Sequence, residues 1–348
     1  MSQVELRSNE YNCKNCGAIL HFDPQSQGLK CDDCNSVFLL EYKKTFVKKP
    51  ITTVEPTDTK RDEWVKDNKV FKCNNCGASV VANKLDISNV CPYCGTNLTI
   101  QLNSIPGLKP DAIVPFAFDE DNAAVKFVEN VKRKFYVSGA FKKRLPTQKI
   151  HGTYIPSFAF DSITTSTYKG VLTKTEHHDK YTTTTRIPIS GTLNKTYVNV
   201  LVESSTKMTQ SELNGILPFD IKKSVDYQNA YILGYTVEHY ADTLAVCQKT
   251  EQQIISSLIR KDILSKYYYS GVESLNIQTN YLDTSYNYML VPVYKFEYTY
   301  KNKPFTTYMN GQTGKLDNNL PKSIPKIVMT VVVCLLIILL PFILSYLN

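Results

Sequence analysis

Apolar residues along this chain fall into three rhythms. From 153 to 202, β-branched and aromatic residues recur in four runs, Thr153 to Phe160, Thr164 to Leu172, Tyr181 to Ile189 and Thr196 to Val202, which predicts antiparallel strands joined by short polar turns. Two more strands are expected at Tyr288 to Tyr300 and Phe305 to Met309, joined through Asn302, with Asn310-Gly-Gln-Thr-Gly314 turning out of the second. Ile113 to Phe118 reads as a shorter strand. A helical rhythm occurs twice. After a cap at Asp119 or Asp121, Ala124, Phe127, Val128, Val131 and Phe135 share a face up to a stop at Gly139. Leu244 to Leu264 forms a second helix that turns Leu244, Cys247, Ile254, Ile255 and Leu258 inward. Helices and strands do not alternate regularly, so the expected fold class is α+β, an antiparallel sheet with helices over residues 104–320. Leu217-Pro-Phe-Asp220 marks a turn, and the pattern leaves open whether this region is one domain or two subdomains divided near 205–220.

The third rhythm is an unbroken apolar run. Residues 327–347, IVMTVVVCLLIILLPFILSYL, carry no charge, and at about 1.5 Å per residue a helix of this length just crosses a hydrocarbon core of roughly 30 Å. One C-terminal transmembrane helix is therefore expected. Lys315, Lys322 and Lys326 precede it and Asn348 follows, which places the N-terminal bulk in the cytoplasm and makes this a single-pass protein of the cell membrane. Pro341 can kink the helix, and Cys334 is expected to serve packing.

Eight of the ten cysteines form one pattern written twice. Cys13, Cys16, Cys31 and Cys34 are followed sixty residues later by Cys73, Cys76, Cys91 and Cys94, each set reading Cys-x2-Cys-x14-Cys-x2-Cys. A two-residue gap lets both sulfurs of a knuckle reach one ion, and two knuckles close a tetrahedron. Glycine after Cys16, Cys76 and Cys94 permits the turn that aims backbone amides at the thiolates. Four disulfides in an exported protein are the rival, yet residues 1–10 lack the apolar core of an export signal, and a reducing cytoplasm keeps thiols free for metal. The pattern predicts two structural Zn2+ ions in two ribbons, 11–40 and 71–100, with no open coordination position. Residues 41–70, rich in lysine, threonine and aspartate with Pro50 and Pro56, read as a linker in which Trp64 docks on a neighbour.

Charge changes the picture in one place. The formal net charge of +8 is concentrated at 126–149, where Lys126, Lys132, Arg133, Lys134, Lys142, Lys143, Arg144 and Lys149 stand against Glu129 alone. Such a cluster can face anionic lipid, an acidic partner, nucleic acid or simply water. Around the first ribbon the sign is opposite: Lys14 and Lys30 meet Asp23, Asp32 and Asp33, and four thiolates on one Zn2+ add about two negative charges. Phosphate binding by the ribbons would require the reverse, and no aromatics interleave with basic residues there for stacking on bases. No serine or cysteine sits in a nucleophile motif, no carboxylates pair in a motif and no glycine-rich phosphate loop follows a strand, so no enzyme is expected. His177 and His178 fall at a polar hairpin tip, His21 is surplus to the four sulfurs of its ribbon, and Cys247 is expected in the core.

The paired ribbons are followed by Ile113-Val-Pro-Phe116, Phe141-Lys-Lys-Arg-Leu145, Gly152-Thr-Tyr-Ile-Pro156, Leu217-Pro-Phe-Asp220, Ala230-Tyr-Ile-Leu-Gly-Tyr235, Leu290-Val-Pro-Val-Tyr294 and Asn310-Gly-Gln-Thr-Gly-Lys315. Together with the terminal span, this combination resembles the bacterial tail-anchored double zinc-ribbon proteins labelled "TFIIB-type zinc ribbon-containing" or primosomal helicase-like, over essentially the whole length. The helicase label has no support, because no Walker-type loop is present. In some bacteria, relatives of that kind are encoded with phage-shock-type coiled-coil proteins and serve as membrane anchors in envelope-stress defence. The resemblance therefore implies a non-enzymatic membrane adaptor that recruits a cytoplasmic partner, a coiled-coil stress protein, to the membrane. The alternative is a membrane-tethered nucleic-acid-binding zinc-ribbon protein of replication or transcription, with the basic cluster as its contact.

Overall fold

The computed structural model describes residues 12–51, 68–72, 79–83, 109–143, 145, 150–178 and 181–347, without the side chains of 68–72, 79–83 and 342–347. Cys73, Cys76, Cys91 and Cys94 of the expected second ribbon, Trp64, Arg144 and Lys149 lie outside the described residues. Three short strands, β1 (Leu20–Asp23), β2 (Gly28–Cys31) and β3 (Val37–Leu39), form their own sheet. Next come β4 (Lys49–Pro50), β5 (Asn68–Lys72), β6 (Ser79–Asn83), β7 (Ala112–Ile113), α1 (Glu120–Arg133), α2 (Gly139–Lys143), β8 (Ile150–His177) and β9 (Thr182–Glu203). The chain continues through α3 (Gln210–Ile216), β10 (Val225–Asp226), β11 (Thr236–Glu238), α4 (Leu244–Leu264), β12 (Gly271–Tyr300), β13 (Lys303–Asn310) and α5 (Ile324–Leu347). Helix and strand are mixed, and sheet predominates.

β8 and β12 run antiparallel from the pair Ile150–Phe296 to the pair Thr173–Gly271, and β9 lies on the other side of β8. Strands of this length reach on the order of 90 Å. Their two ends are built differently. At the body end both faces are covered: Met289, Val291 and Val293 share a core with Leu213 and Ile216 of α3, whereas Leu290, Tyr294 and Phe296 share another with Phe127 and Val131 of α1. Two-sided burial is why the sequence there is a nearly continuous apolar run. In the distal arm one face is covered, with Tyr168, Leu172, Ile189 and Tyr197 packed against Ile255, Ile259 and Ile263 of α4. Thr167, Lys169 and Ser190, on alternate positions, are exposed.

Several expectations are corrected by contacts distant in sequence. The four strands expected over 153–202 are two, because Asp161 does not turn the chain: it accepts from the Asn199 amide (2.7 Å) and pairs with Lys48 (2.5 Å) at a bulge. Gly191 likewise stays in the ladder, opposite Tyr168. Ile113 to Phe118 is strand only at its start, since Pro115 has no amide to donate and Val114 and Ala117 donate singly to the carbonyls of Leu290 (2.9 Å) and Gly311 (3.0 Å). α1, capped by Asp119 accepting from the Asn122 amide (2.8 Å), stops at Arg133 rather than Gly139, and Gly139 opens α2. On α4 the buried stripe is Cys247, Glu251, Ile255, Ile259 and Ile263, while Leu258 points outward. Steps of four residues wind about 40° around a helix, as a helix lying on a twisted sheet requires. The first half of β12 was not expected, because polar residues such as Asn276 and Gln278 dilute its apolar Leu275, Ile277 and Tyr281.

The start of the expected linker is held to the body. The amides of Thr45 and Phe46 donate to Asp226 Oδ1 (2.7 and 3.0 Å), Lys49 pairs with Asp111 (2.7 Å), and β4 adds to β12.

β12 bulges between Val272 and Ser274, and a Cβ on Gly170 would stand 2.4 Å from the Ser274 carbonyl oxygen. Gly170→Ala is expected to cost about 1–3 kcal/mol, read as a lower denaturation midpoint. An unchanged midpoint would show that the two strands separate freely there.

Candidate metal centre

β1, β2 and β3 hold two knuckles of the same backbone form. In one, the Cys13 amide donates to the Ala18 carbonyl (2.7 Å) and the Gly17 amide to the Cys13 carbonyl (2.8 Å). In the other, the Cys31 amide donates to the Ser36 carbonyl (2.9 Å) and the Asn35 amide to the Cys31 carbonyl (3.0 Å). Each turn places a left-handed residue after its second cysteine, Gly17 at φ 81° and Asn35 at φ 58°. Asparagine tolerates that region best after glycine, so Asn35 completes the pattern that glycine follows elsewhere.

The four Sγ atoms of Cys13, Cys16, Cys31 and Cys34 lie within 4.8 Å of one another, with Cys13–Cys34 and Cys16–Cys31 each at 3.4 Å. A disulfide would bring sulfurs to about 2.05 Å, whereas ligands about 2.3 Å from a tetrahedral ion stand about 3.8 Å apart. All four thiols are free, and the set fits a metal ion. Among the described residues this is the one cluster that does. Hydrogen bonds from the Ser36 hydroxyl, 3.1 Å from Sγ, and the Ser36 amide hold the Cys34 thiol down at about 6. At Cys16 the Ala18 amide pulls the same way, but the neighbouring sulfurs of Cys31, Cys34 and Cys13 override it and push the thiol up to about 12. Four sulfurs this close cannot all lose their protons unless a cation replaces them. His21 contacts Asp32 (3.3 Å) and stands outside the set.

The ribbon is not a free bead. Cys13, Leu20, Phe22, Leu29 and Cys31 belong to the same buried cluster as Phe116, Phe127 and Tyr294. The Phe22 amide donates to the Leu233 carbonyl (3.0 Å), and its ring lies 5.2 Å from that of Tyr231. Gln27 Nε2 donates to the Phe116 carbonyl (2.9 Å) and Gln25 Nε2 to Asp119 Oδ2 (3.0 Å). The hairpin β5–β6, which flanks Cys73 and Cys76 in sequence, joins the main sheet through β11.

Other singled-out residues serve the fold. Lys134 Nζ donates to Asp317 O and Asn318 Oδ1 (2.8 Å each), Lys142 Nζ to Lys132 O (2.7 Å), and Lys126 Nζ lies 5.1 Å from the Phe118 ring. Cys247 is buried, Cys334 is exposed on α5, and His177 Nδ1 lies 3.1 Å from Thr182 Oγ1 at the hairpin tip. An acidic seam escaped sequence reasoning, because its members are far apart along the chain. Ser205 donates its amide to Glu203 (2.6 Å) and its hydroxyl to Glu238. Burial, opposed by the Ser205 amide and helped by the charges of Asp242 and Glu238, raises the Glu203 carboxyl to about 7.

The Bacillus subtilis protein named "Uncharacterized protein YdjG" is 26% identical over 324 residues, 88% of this chain and 88% of that protein. No family model matches this chain, and no solved structure matches it.

Cys34→Ser is expected to lower the metal content of the purified chain by one ion, read by elemental analysis beside thiol titration. A metal content equal to wild type would remove the cluster from consideration. Glu203 gives a pH-dependent prediction. Its folded pKa of about 7 exceeds the ordinary 4.5, so the favourable contribution is full below about pH 4.5 and is lost as pH rises through about 7. Glu203→Gln should raise the melting temperature near about pH 8 and change it little near about pH 5. Equal effects at both values would sink the linkage.

Proposed function

We propose that this chain is a non-enzymatic, single-pass membrane adaptor that recruits a cytoplasmic protein to the membrane. The observation that carries this reading is α5, whose Ile324–Pro341 window has a mean hydropathy of 2.6 and no part buried against the rest of the molecule. A helix this apolar, long enough to cross a bilayer and left uncovered finds its solvent among acyl chains. Lysines on its N-terminal side, Lys315, Lys322 and Lys326, support a cytoplasmic body.

The ribbons supply shape in this reading, one Zn2+ in each. A closed set of four sulfurs leaves no position for a substrate, and the first set is built into the core of the body. The family resemblance of the sequence motifs supports a coiled-coil envelope-stress protein as the partner.

Three measurements check the proposal. The full chain is expected in the membrane fraction, resistant to carbonate, and deletion of residues 324–348 should release it. Purified in detergent, it should carry two zinc ions. Affinity capture from solubilised membranes should recover a coiled-coil protein, and Cys-to-Ser changes in either ribbon should abolish that recovery. Salt-sensitive capture of nucleic acid, lost on neutralising Lys142 and Lys143, would favour the nucleic-acid reading instead.

A further inference from the structure

We infer that the foot of α5 binds the phosphate headgroup of an anionic phospholipid, in the leaflet nearest the body, through Lys322 and Lys326 beside the exposed rings of Phe135 and Tyr136. The inference rests on α5 being a membrane span. Its starting point is the segment that follows α1. It buries Val137 in the core and forms a short ladder with the chain entering α5: the Ser138 amide donates to the Pro321 carbonyl (2.9 Å), the Ser323 amide donates to the Tyr136 carbonyl (2.8 Å), and Val137 bridges Lys322. Lys326, in the first turn of α5, donates to the Phe135 carbonyl (2.9 Å) and lies 5.0 Å from its ring.

These contacts put two large aromatic side chains where the span leaves the body. Phe135 is 55% exposed and Tyr136 45%. In water that exposure is unfavourable, whereas at a membrane–water boundary aromatic rings find both of the environments they prefer. Beside them a cleft of about 270 Å³ opens, with Ile327, Thr330 and Val331 as its apolar wall and Tyr136 and Lys322 at its mouth. An apolar wall continuous with the span, under a cationic mouth, matches the upper end of a lipid rather than a free solute.

The charge at the mouth is uncompensated. Among the described residues no ion pair engages Lys142, Lys322 or Lys326, nor the exposed Lys132, Arg133 and Lys143 around them. Lys322 bridges Val137 and Lys326 reaches the Phe135 carbonyl, so two cations are held along one short segment, and an anion between them would relieve both. Nucleic acid is a poorer occupant, because a polyanion reaching the foot of a span must press against the anionic bilayer surface.

Native mass spectrometry of the full chain, released from detergent with phosphatidylglycerol or phosphatidylcholine present, tests the site. Wild type should retain phosphatidylglycerol preferentially. In Lys322→Gln/Lys326→Gln that preference should fall by about fivefold per charge removed, with metal content and melting temperature unchanged. Equal retention of the two lipids, an undiminished preference in a double variant of wild-type stability, or displacement of the lipid by equimolar inorganic phosphate would overturn the inference. A second variant guards against misfolding. Tyr136→Trp in a Trp64→Phe background, placed in nanodiscs, should be quenched more by headgroup-labelled phosphatidylglycerol than by the labelled phosphatidylcholine, and equal quenching also overturns it. If wild type itself is recovered in the soluble fraction of cells, the span reading fails first; if it is membrane-bound without lipid preference, only the headgroup site fails.

Discussion

The antiparallel pairing of β8 with β12 is the constraint on which the other parts depend. β9 and β11 pair with β8, while β4, β7 and β13 pair with β12. Within that pair, partners as distant in sequence as Ile150 and Phe296 must meet, whereas β9 and β13 each follow their partner strand directly in the chain. Closing that distance costs chain entropy that is recovered only when side chains fill both faces. On the face toward α1 they do so with aromatics: Phe127 stacks on Phe296 at 4.3 Å between centroids, and Phe116 stacks on Tyr235 at 4.2 Å. Each such pair adds roughly 0.5–1.5 kcal/mol beyond its buried area. The buried hydroxyl of Tyr294 finds the Phe118 carbonyl at 2.5 Å, so its polar tip is not left bare.

What could be read from sequence was local chemistry. Metal spacing, the Asp119 cap and the terminal apolar run each depend on residues within a few turns of one another, and the structure has the four sulfurs of the first ribbon, the cap and a long uncovered helix in those places. What could not be read was set by remote partners. Asp161 looks like a turn residue until Lys48 and Asn199 are brought beside it, and Glu251 looks like an outward position until the Ser162 hydroxyl meets it at 2.6 Å. Thr45 and Phe46 look like linker until Asp226 binds their amides. In each case the position was set by hydrogen-bonding partners distant in sequence, a preference that neither periodicity nor propensity carries.

A metal ion held by the four sulfurs of the first ribbon would be coupled to the body. Cys13 and Cys31 are buried while Cys16 and Cys34 reach the surface, so half of each knuckle is core and half is rim. Loss of an ion would leave two buried thiols at the seam that Phe22 shares with Tyr231, and the local strands would lose the cross-link that closes them. Metal binding and packing of the ribbon on the sheet are then one equilibrium rather than two.

α1 gives this coupling a direction. Its N-terminal end carries Asp119, Glu120 and Asp121, and it meets the ribbon through Gln25 and β8 through the Gly152 amide, which donates to Glu120 (3.0 Å). Its last turn carries Lys132 and Arg133, and the residues beyond it ladder with the entrance to α5. Both ends suit the helix dipole, negative side chains at the amino end and positive ones at the carboxyl end. The same polarity sorts two environments. On the proposed reading the basic end lies at an anionic bilayer, and the ribbon, negative when it holds zinc, meets the opposite end of a helix about 20 Å long, so that like charges are kept at opposite ends of one rigid element.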